Sequence, residues 1–175
     1  MKRLQRIRKG CHYPLDFVIE TFRYFGISRK NRKNTISRRI TFNEDCRYII
    51  DGVDQWDWSK LYGFCFGITG IHKNSVRFGW RYNPKTEKIE VCRILYYGNP
   101  VIHKMEYLTS VEVGSKHEYT IVHEIEGDIM HVTMYIDDEK WETSINRPPC
   151  RLRFGSGLYF GGNQKAPQEV SIIVE

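Results

Sequence analysis

Two arginines, Arg77 and Arg81, stand four residues apart in the run Ser75 to Tyr82, SVRFGWRY. Alternation along a strand sends Val76, Phe78, Trp80 and Tyr82 to one face and Ser75, Arg77, Gly79 and Arg81 to the other. The polar face therefore carries two fixed cations. A second run, 88–97, adds Glu90, Cys92, Ile94 and Tyr96 to that face when Ile89, Val91 and Leu95 turn to the core. A hairpin through Asn83 and Pro84 joins the two runs and sets Arg81 opposite Glu90. Gly79 would leave a notch where a ligand approaches the backbone. Trp56, Trp58 and His72 fall in adjoining segments and would rim the same face. Aromatic faces stack on the apolar side of a sugar ring, and guanidinium and carboxylate groups read its hydroxyls or a uronate carboxylate. The expected ligand-binding set is thus Arg77, Arg81, Glu90, Tyr96, His72, Trp56 and Trp58. The competing reading is a solvated sheet face whose ion pair contributes little, with the tryptophans in the core.

The elements that must position these residues are strands almost throughout. Period-two alternation marks strands at 11–25, 37–42, 46–50, 60–68, 74–82, 88–97, 101–111, 117–124, 129–136, 139–145, 151–154, 158–161 and 168–174, and no amphipathic helix appears. Turn residues separate them: Asn83-Pro84-Lys85-Thr86, Gly98-Asn99-Pro100, Glu126-Gly127-Asp128, Asp137-Asp138 and Pro148-Pro149. About a dozen short strands with such turns imply an all-β, antiparallel sandwich or barrel. Residues 28–36 are the one stretch that looks like a long loop.

The 175 residues fit one domain, 1–175, with a basic N-terminal region. Residues 1–39 carry 12 Lys+Arg against 2 Asp+Glu, whereas the rest is mildly acidic. That asymmetry suits an acidic partner or a solvated basic turn. The basic runs lack interleaved stacking aromatics, so nucleic acid is not expected. The five cysteines, Cys11, Cys46, Cys65, Cys92 and Cys150, are odd in number and form no Cys-x-x-Cys pair, which implies free thiols. No run reaches the 18 apolar residues of a membrane span, and no apolar stretch follows the basic start, so a cytoplasmic protein without a signal peptide is expected.

Other motifs are weaker. Asp51, Asp54 and Asp57, with Glu44 and Asp45 nearby, offer oxygen ligands that calcium would accept, but their spacing is not that of an EF-hand loop. His117, His123 and His131 give no paired zinc-ligand spacing. No glycine-rich phosphate loop is present.

Residues 117–141, HEYTIVHEIEGDIMHVTMYIDDEKW, resemble the strand–turn–strand pattern of laminin G-like and concanavalin A-like lectin/glucanase domains. The ending, Leu158 to Gly162 followed by Pro167 to Val174, is similar to the closing strands of that superfamily. The resemblance implies a jelly-roll β-sandwich. The chain as a whole is also similar to bacterial β-sandwich proteins of unassigned activity. Glucanases of the superfamily carry Glu-x-Asp-x-x-Glu on one strand; here Glu124-Ile125-Glu126-Gly127-Asp128 runs into a turn and lacks the last glutamate. The string Tyr159-Phe160-Gly161-Gly162-Asn163-Gln164 is similar to the Tyr-Phe-Lys-Ala-Gly motif of sandwich-fold alginate lyases, without the lysine and without a Gln-x-His string elsewhere. For a lyase, that resemblance implies Tyr159 or Tyr96 in proton transfer, His72 as base and Arg77 as carboxylate neutraliser. Three expectations follow. The first is a non-catalytic, lectin-like glycan-binding face. The second is a polysaccharide lyase or glycoside hydrolase on the same face. The third is an interaction module for an acidic partner.

Overall fold

The computed structural model describes residues 2–16, 24–67, 73–98 and 101–175. Among them twelve strands form two antiparallel sheets. In chain order these are β1 (Arg3–Ile7), β2 (Gly26–Ile27), β3 (Asn34–Phe42), β4 (Ser59–Phe66), β5 (Ser75–Asn83) and β6 (Lys88–Tyr97). They continue as β7 (Ile102–Glu112), β8 (Lys116–Glu126), β9 (Ile129–Ile136), β10 (Glu139–Asn146), β11 (Leu152–Ser156) and β12 (Val170–Val174). One sheet has the order β1-β12-β3-β8-β9-β10 and the other β2-β11-β4-β5-β6-β7. This is a jelly-roll sandwich, with the second sheet carrying the arginine face.

The core lies between the sheets and is aromatic. Trp80 is fully buried, with Phe42 at 5.2 Å and Tyr48 and Phe160 at 6.0 Å between ring centroids. Val76, Phe78, Trp80 and Tyr82 all face inward, as period two requires. The hairpin turn after β5 is closed by the Asn83 side chain, which accepts the Lys85 amide at 2.9 Å.

Several boundaries differ from expectation. Residues 46–50 are not a strand: Glu44–Cys46 forms a 3-10 turn, and Asp45 accepts the Ser171 amide at 2.8 Å, which fixes this corner to β12. Residues 158–161 form only an isolated bridge, Lys60 to Tyr159. Of the strand expected at 11–25, residues 11–16 form turns and bends and 17–23 lie outside the described residues. The basic start supplies β1 instead, where Arg3 pairs with Asp16 at 3.2 Å and Arg6 with Glu169 at 3.6 Å. The loop expected at 28–36 is shorter, because β3 already begins at Asn34.

Period two breaks once where it matters. Lys60 pairs with Gly79 and Gly63 with Arg77, so three residue steps on β4 span two on β5. This bulge puts Lys60 and Gly63 on the same outer face despite their odd separation. Gly63 is required there. A Cβ on it would lie 2.1 Å from the Val76 carbonyl oxygen and 2.6 Å from the Arg77 Cα.

One buried group links the core to pH. His123 has no exposed surface, packs edge-on against Phe64 and Phe66, and its Nε2 lies 3.1 Å from the Ser28 hydroxyl. Burial, aided by the Arg153 charge, pushes its pKa down to about 3. The unfolded chain takes up a proton near the ordinary pKa of about 6.5, while the folded chain does not. Stability contributed by the neutral imidazole is therefore complete above that pH and is lost as pH falls towards 3, by about 1.4 kcal/mol per unit. We expect urea midpoints to drop between pH 7 and pH 5, and His123→Gln to flatten that slope. An equal slope in the variant would assign the effect to other groups.

Candidate functional site

The outer face of the second sheet opens into a cleft of about 450 Å³ lined by Lys60, Lys73, Tyr96, Val101, His103 and Tyr159. Lys60 comes from β4 just before the bulge and is only 7% exposed. Its ammonium donates to the Gly161 carbonyl at 3.1 Å and lies 5.0 Å from the Tyr159 ring centroid. Paired backbone bonds of 2.8 and 2.9 Å lock Lys60 to Tyr159.

Tyr159 is itself held on three sides. His12 stacks on it at 5.1 Å with planes 7° apart, and Tyr13 meets it edge-on at 4.9 Å. The His12 ring is fixed in turn because its Nδ1 donates to the Phe160 carbonyl at 2.9 Å. The Tyr159 hydroxyl donates to the Gly162 carbonyl at 3.3 Å. Across the cleft, Tyr96 and His103 on neighbouring strands form a wall, with ring centroids 4.4 Å apart.

Arg77 lies beneath this surface rather than on it. It is 1% exposed, its side chain crosses Gly63, and its guanidinium carbon sits 5.6 Å from the Tyr96 ring centroid. Its charge lies buried directly behind the cleft, where electrostatic effects are stronger than in water. Burial, and then the Arg77 charge, bring Lys60 down to about 8. Burial also holds the Tyr96 and Tyr159 phenols above the ordinary tyrosine range. The cleft thus pairs an amine that deprotonates readily with phenols that stay protonated. Opposed shifts of this kind suit a proton acceptor beside a proton donor.

The other expected residues gather elsewhere on the same face. Arg81 donates from Nε to Glu90 at 2.7 Å and from Nη1 to the Trp56 carbonyl at 2.6 Å. Its guanidinium lies 4.1 Å from the Trp58 ring centroid and 5.3 Å from that of Trp56. The second Glu90 oxygen accepts from Asn83 at 2.7 Å. Arg81, Glu90, Trp56 and Trp58 therefore close on one another, whereas Tyr96 lines the cleft and Arg77 underlies it. His72 lies outside the described residues. No notch exists at Gly79, because Cys92 Sγ and Ile94 Cδ1 would each stand 2.6 Å from a Cβ there. Glu90→Gln should cost about 2 kcal/mol by leaving a half-buried arginine without its counter-charge. Chemical denaturation measures this, and ligand affinity at the cleft should not change.

Sequence reasoning missed Lys60, Lys73, Val101 and His103. One signal for Lys60 was present: it is the only charge in SKLYGFCF, an otherwise uncharged strand. The candidate calcium ligands diverge, with Asp45 held by Ser171 and Asp54 accepting from Gln164 at 3.0 Å. His117 bonds to Asp137 at 2.6 Å, His123 is in the core and His131 bonds to Ser144. Among the described residues no three His, Cys, Asp or Glu side chains converge as a metal site, and no helix is long and apolar enough to cross a membrane.

No family model matches the chain, and no curated protein does. Solved structures do share its fold. Alginate lyase AlyC3 superposes with a TM-score of 0.60 at 10% identity, over 87% of this chain and 65% of that one. Alginate lyase PA1167 from Pseudomonas aeruginosa gives 0.56 at 11% identity, over 89% and 66%. Alginate lyase A1-II', a member of polysaccharide lyase family 7, gives 0.52 at 10% identity, over 85% and 62%. The chain spans less than two thirds of the length of each of these proteins. At such identity the likeness establishes the jelly-roll β-sandwich fold and nothing finer.

Proposed function

We propose that the cleft binds a carboxylate-bearing polysaccharide, a polyuronate, and cleaves it by β-elimination. The observation that carries this reading is the Lys60–Tyr159 pair: a buried amine and a phenol, fixed side by side in one cleft, with affinities for protons shifted in opposite directions. Lys73, His103 and the buried Arg77 charge favour an anionic sugar, and Tyr96 offers a ring face for stacking. In the elimination, neutral Lys60 takes the proton α to the carboxylate. The electron pair becomes the new C=C bond as the glycosidic C–O bond breaks. The Tyr159 phenol gives its proton to the departing oxygen. Solvent then returns a proton from Lys60 to the phenolate. Lys60 takes the place that family resemblance would assign to His72. Supporting the substrate class, AlyC3 has been solved in complex with dimannuronate and A1-II' with a product.

The test is to incubate the protein with polymannuronate, polyguluronate and other polyuronates and to follow the ultraviolet absorbance of the unsaturated product. Absorbance that grows with time on one of them supports the proposal. Saturable binding by tryptophan fluorescence with no new absorbance would instead support the lectin-like reading, and neither signal on any polyuronate would remove both.

A further inference from the structure

Strand β7 begins with six residues, 102–107, that are all exposed although they pair with β6 along their length. Both faces of this half-strand meet solvent, including Ile102, Met105 and Tyr107, which are 48%, 42% and 53% exposed. β7 is the last strand of its sheet, and among the described residues nothing pairs with its free edge. Exposed edges of this length invite pairing with another strand unless proline, a bulge or charge prevents it. β7 contains no proline, and its one irregularity falls later, between Tyr107 and Thr109. The remaining guard is charge, in the order Lys104-Met105-Glu106.

That order is self-complementary. We infer that β7 pairs with β7 of a second copy of this chain, antiparallel and centred on Met105. In this register Lys104 of each copy faces Glu106 of the other, Met105 faces Met105, and His103 faces Tyr107. A shift by one residue on each strand would set Lys104 against Lys104 or Glu106 against Glu106, so charge favours this register over its two neighbours. Glu106 already receives Arg93 at 2.6 Å and Lys104 at 3.8 Å, both on Oε2, which leaves Oε1 for Lys104 of the second copy. The two sheets merge into one continuous sheet, and each copy brings its Tyr107 beside the other's His103 at the rim of the cleft. The paired segment is short, so the dimer is weak and concentration-dependent. This inference does not depend on the proposed activity.

Sedimentation velocity on the whole chain tests it. The mass should rise with concentration from 20.8 kDa towards twice that value. Lys104→Glu sets like charges against each other at both ends and should hold the chain monomeric with an unchanged circular dichroism spectrum. In a Cys11→Ser background, Met105→Cys should give a reducible covalent dimer on mild oxidation, because facing Cα atoms lie within disulfide reach. Tyr107→Cys, which faces a histidine, should not. A monomer at every concentration overturns the inference. So does a dimer that Lys104→Glu leaves intact, or equal cross-linking from both cysteine positions.

Discussion

Lys60→Met is expected to lower polyuronate cleavage by about 10²–10⁴-fold, the usual contribution of a positioned proton-transfer group. The fold should survive, because the substitution replaces a desolvated ammonium with an apolar chain of similar length. For the unaltered protein, kcat/KM should rise with pH through about 8, since the amine accepts a proton only once it has lost its own. Lys60→Arg keeps the charge but cannot deprotonate, so it should bind the polymer and fail to cut it. Tyr159→Phe should lose a similar factor while retaining the alkaline rise in whatever rate remains. If Lys60→Met cuts at full rate and Tyr159→Phe does not, the proton acceptor lies elsewhere and the assignment of Lys60 is wrong.

Gly63→Ala should be severely destabilising for so small a change. The added methyl would meet the Val76 carbonyl and the Arg77 Cα, both backbone atoms that no rotamer change can move aside. Relief requires β4 and β5 to part at the bulge, which releases ladder hydrogen bonds and lifts Arg77 from beneath the cleft. We expect a loss of about 4 kcal/mol or more, at the extreme of single-residue effects, read as a fall in the urea midpoint or as insoluble expression. Gly79→Ala is the control on the neighbouring strand. There the methyl meets the ends of the Cys92 and Ile94 side chains, which can rotate, so the cost should be a fraction of that for Gly63→Ala. Comparable losses at the two positions would refute the backbone argument.

Much of this architecture was legible in the residues. The inward set Val76, Phe78, Trp80 and Tyr82 and the outward set Arg77, Arg81, Glu90 and Tyr96 follow from alternation alone, because both strands are regular over those positions. The hairpin at Asn83 aligned Arg81 with Glu90 for the same reason. The outward direction of Lys60 was illegible because the bulge reverses the phase of β4. Counting back by twos from the core residues Phe66 and Phe64 puts Lys60 inside the sandwich, and only the extra residue turns it outward. Whether a cation is free to act was also hidden. Arg81 and Arg77 look alike in sequence, yet one is enclosed by Glu90, Trp56 and Trp58 and the other is roofed by Tyr96. Those distinctions arise from loops and side-chain directions that periodicity does not encode. The basic start misled in a simpler way, since a charged face of an edge strand and a solvated tail have the same composition.

The stacking of His12 on Tyr159 has a kinetic consequence. The hydrogen bond that anchors it spans 148 residues of chain, and β1, β12 and β3 knit the same two regions together in the first sheet. Such long loops are slow to close, so contacts of this kind form late in folding. During refolding, secondary structure and core burial should recover before the Tyr159 wall is in place. A chain emerging from the ribosome could hold most of its strands and still lack a cleft until residues 159–162 meet His12, making the assembled cleft one of the last features the molecule acquires.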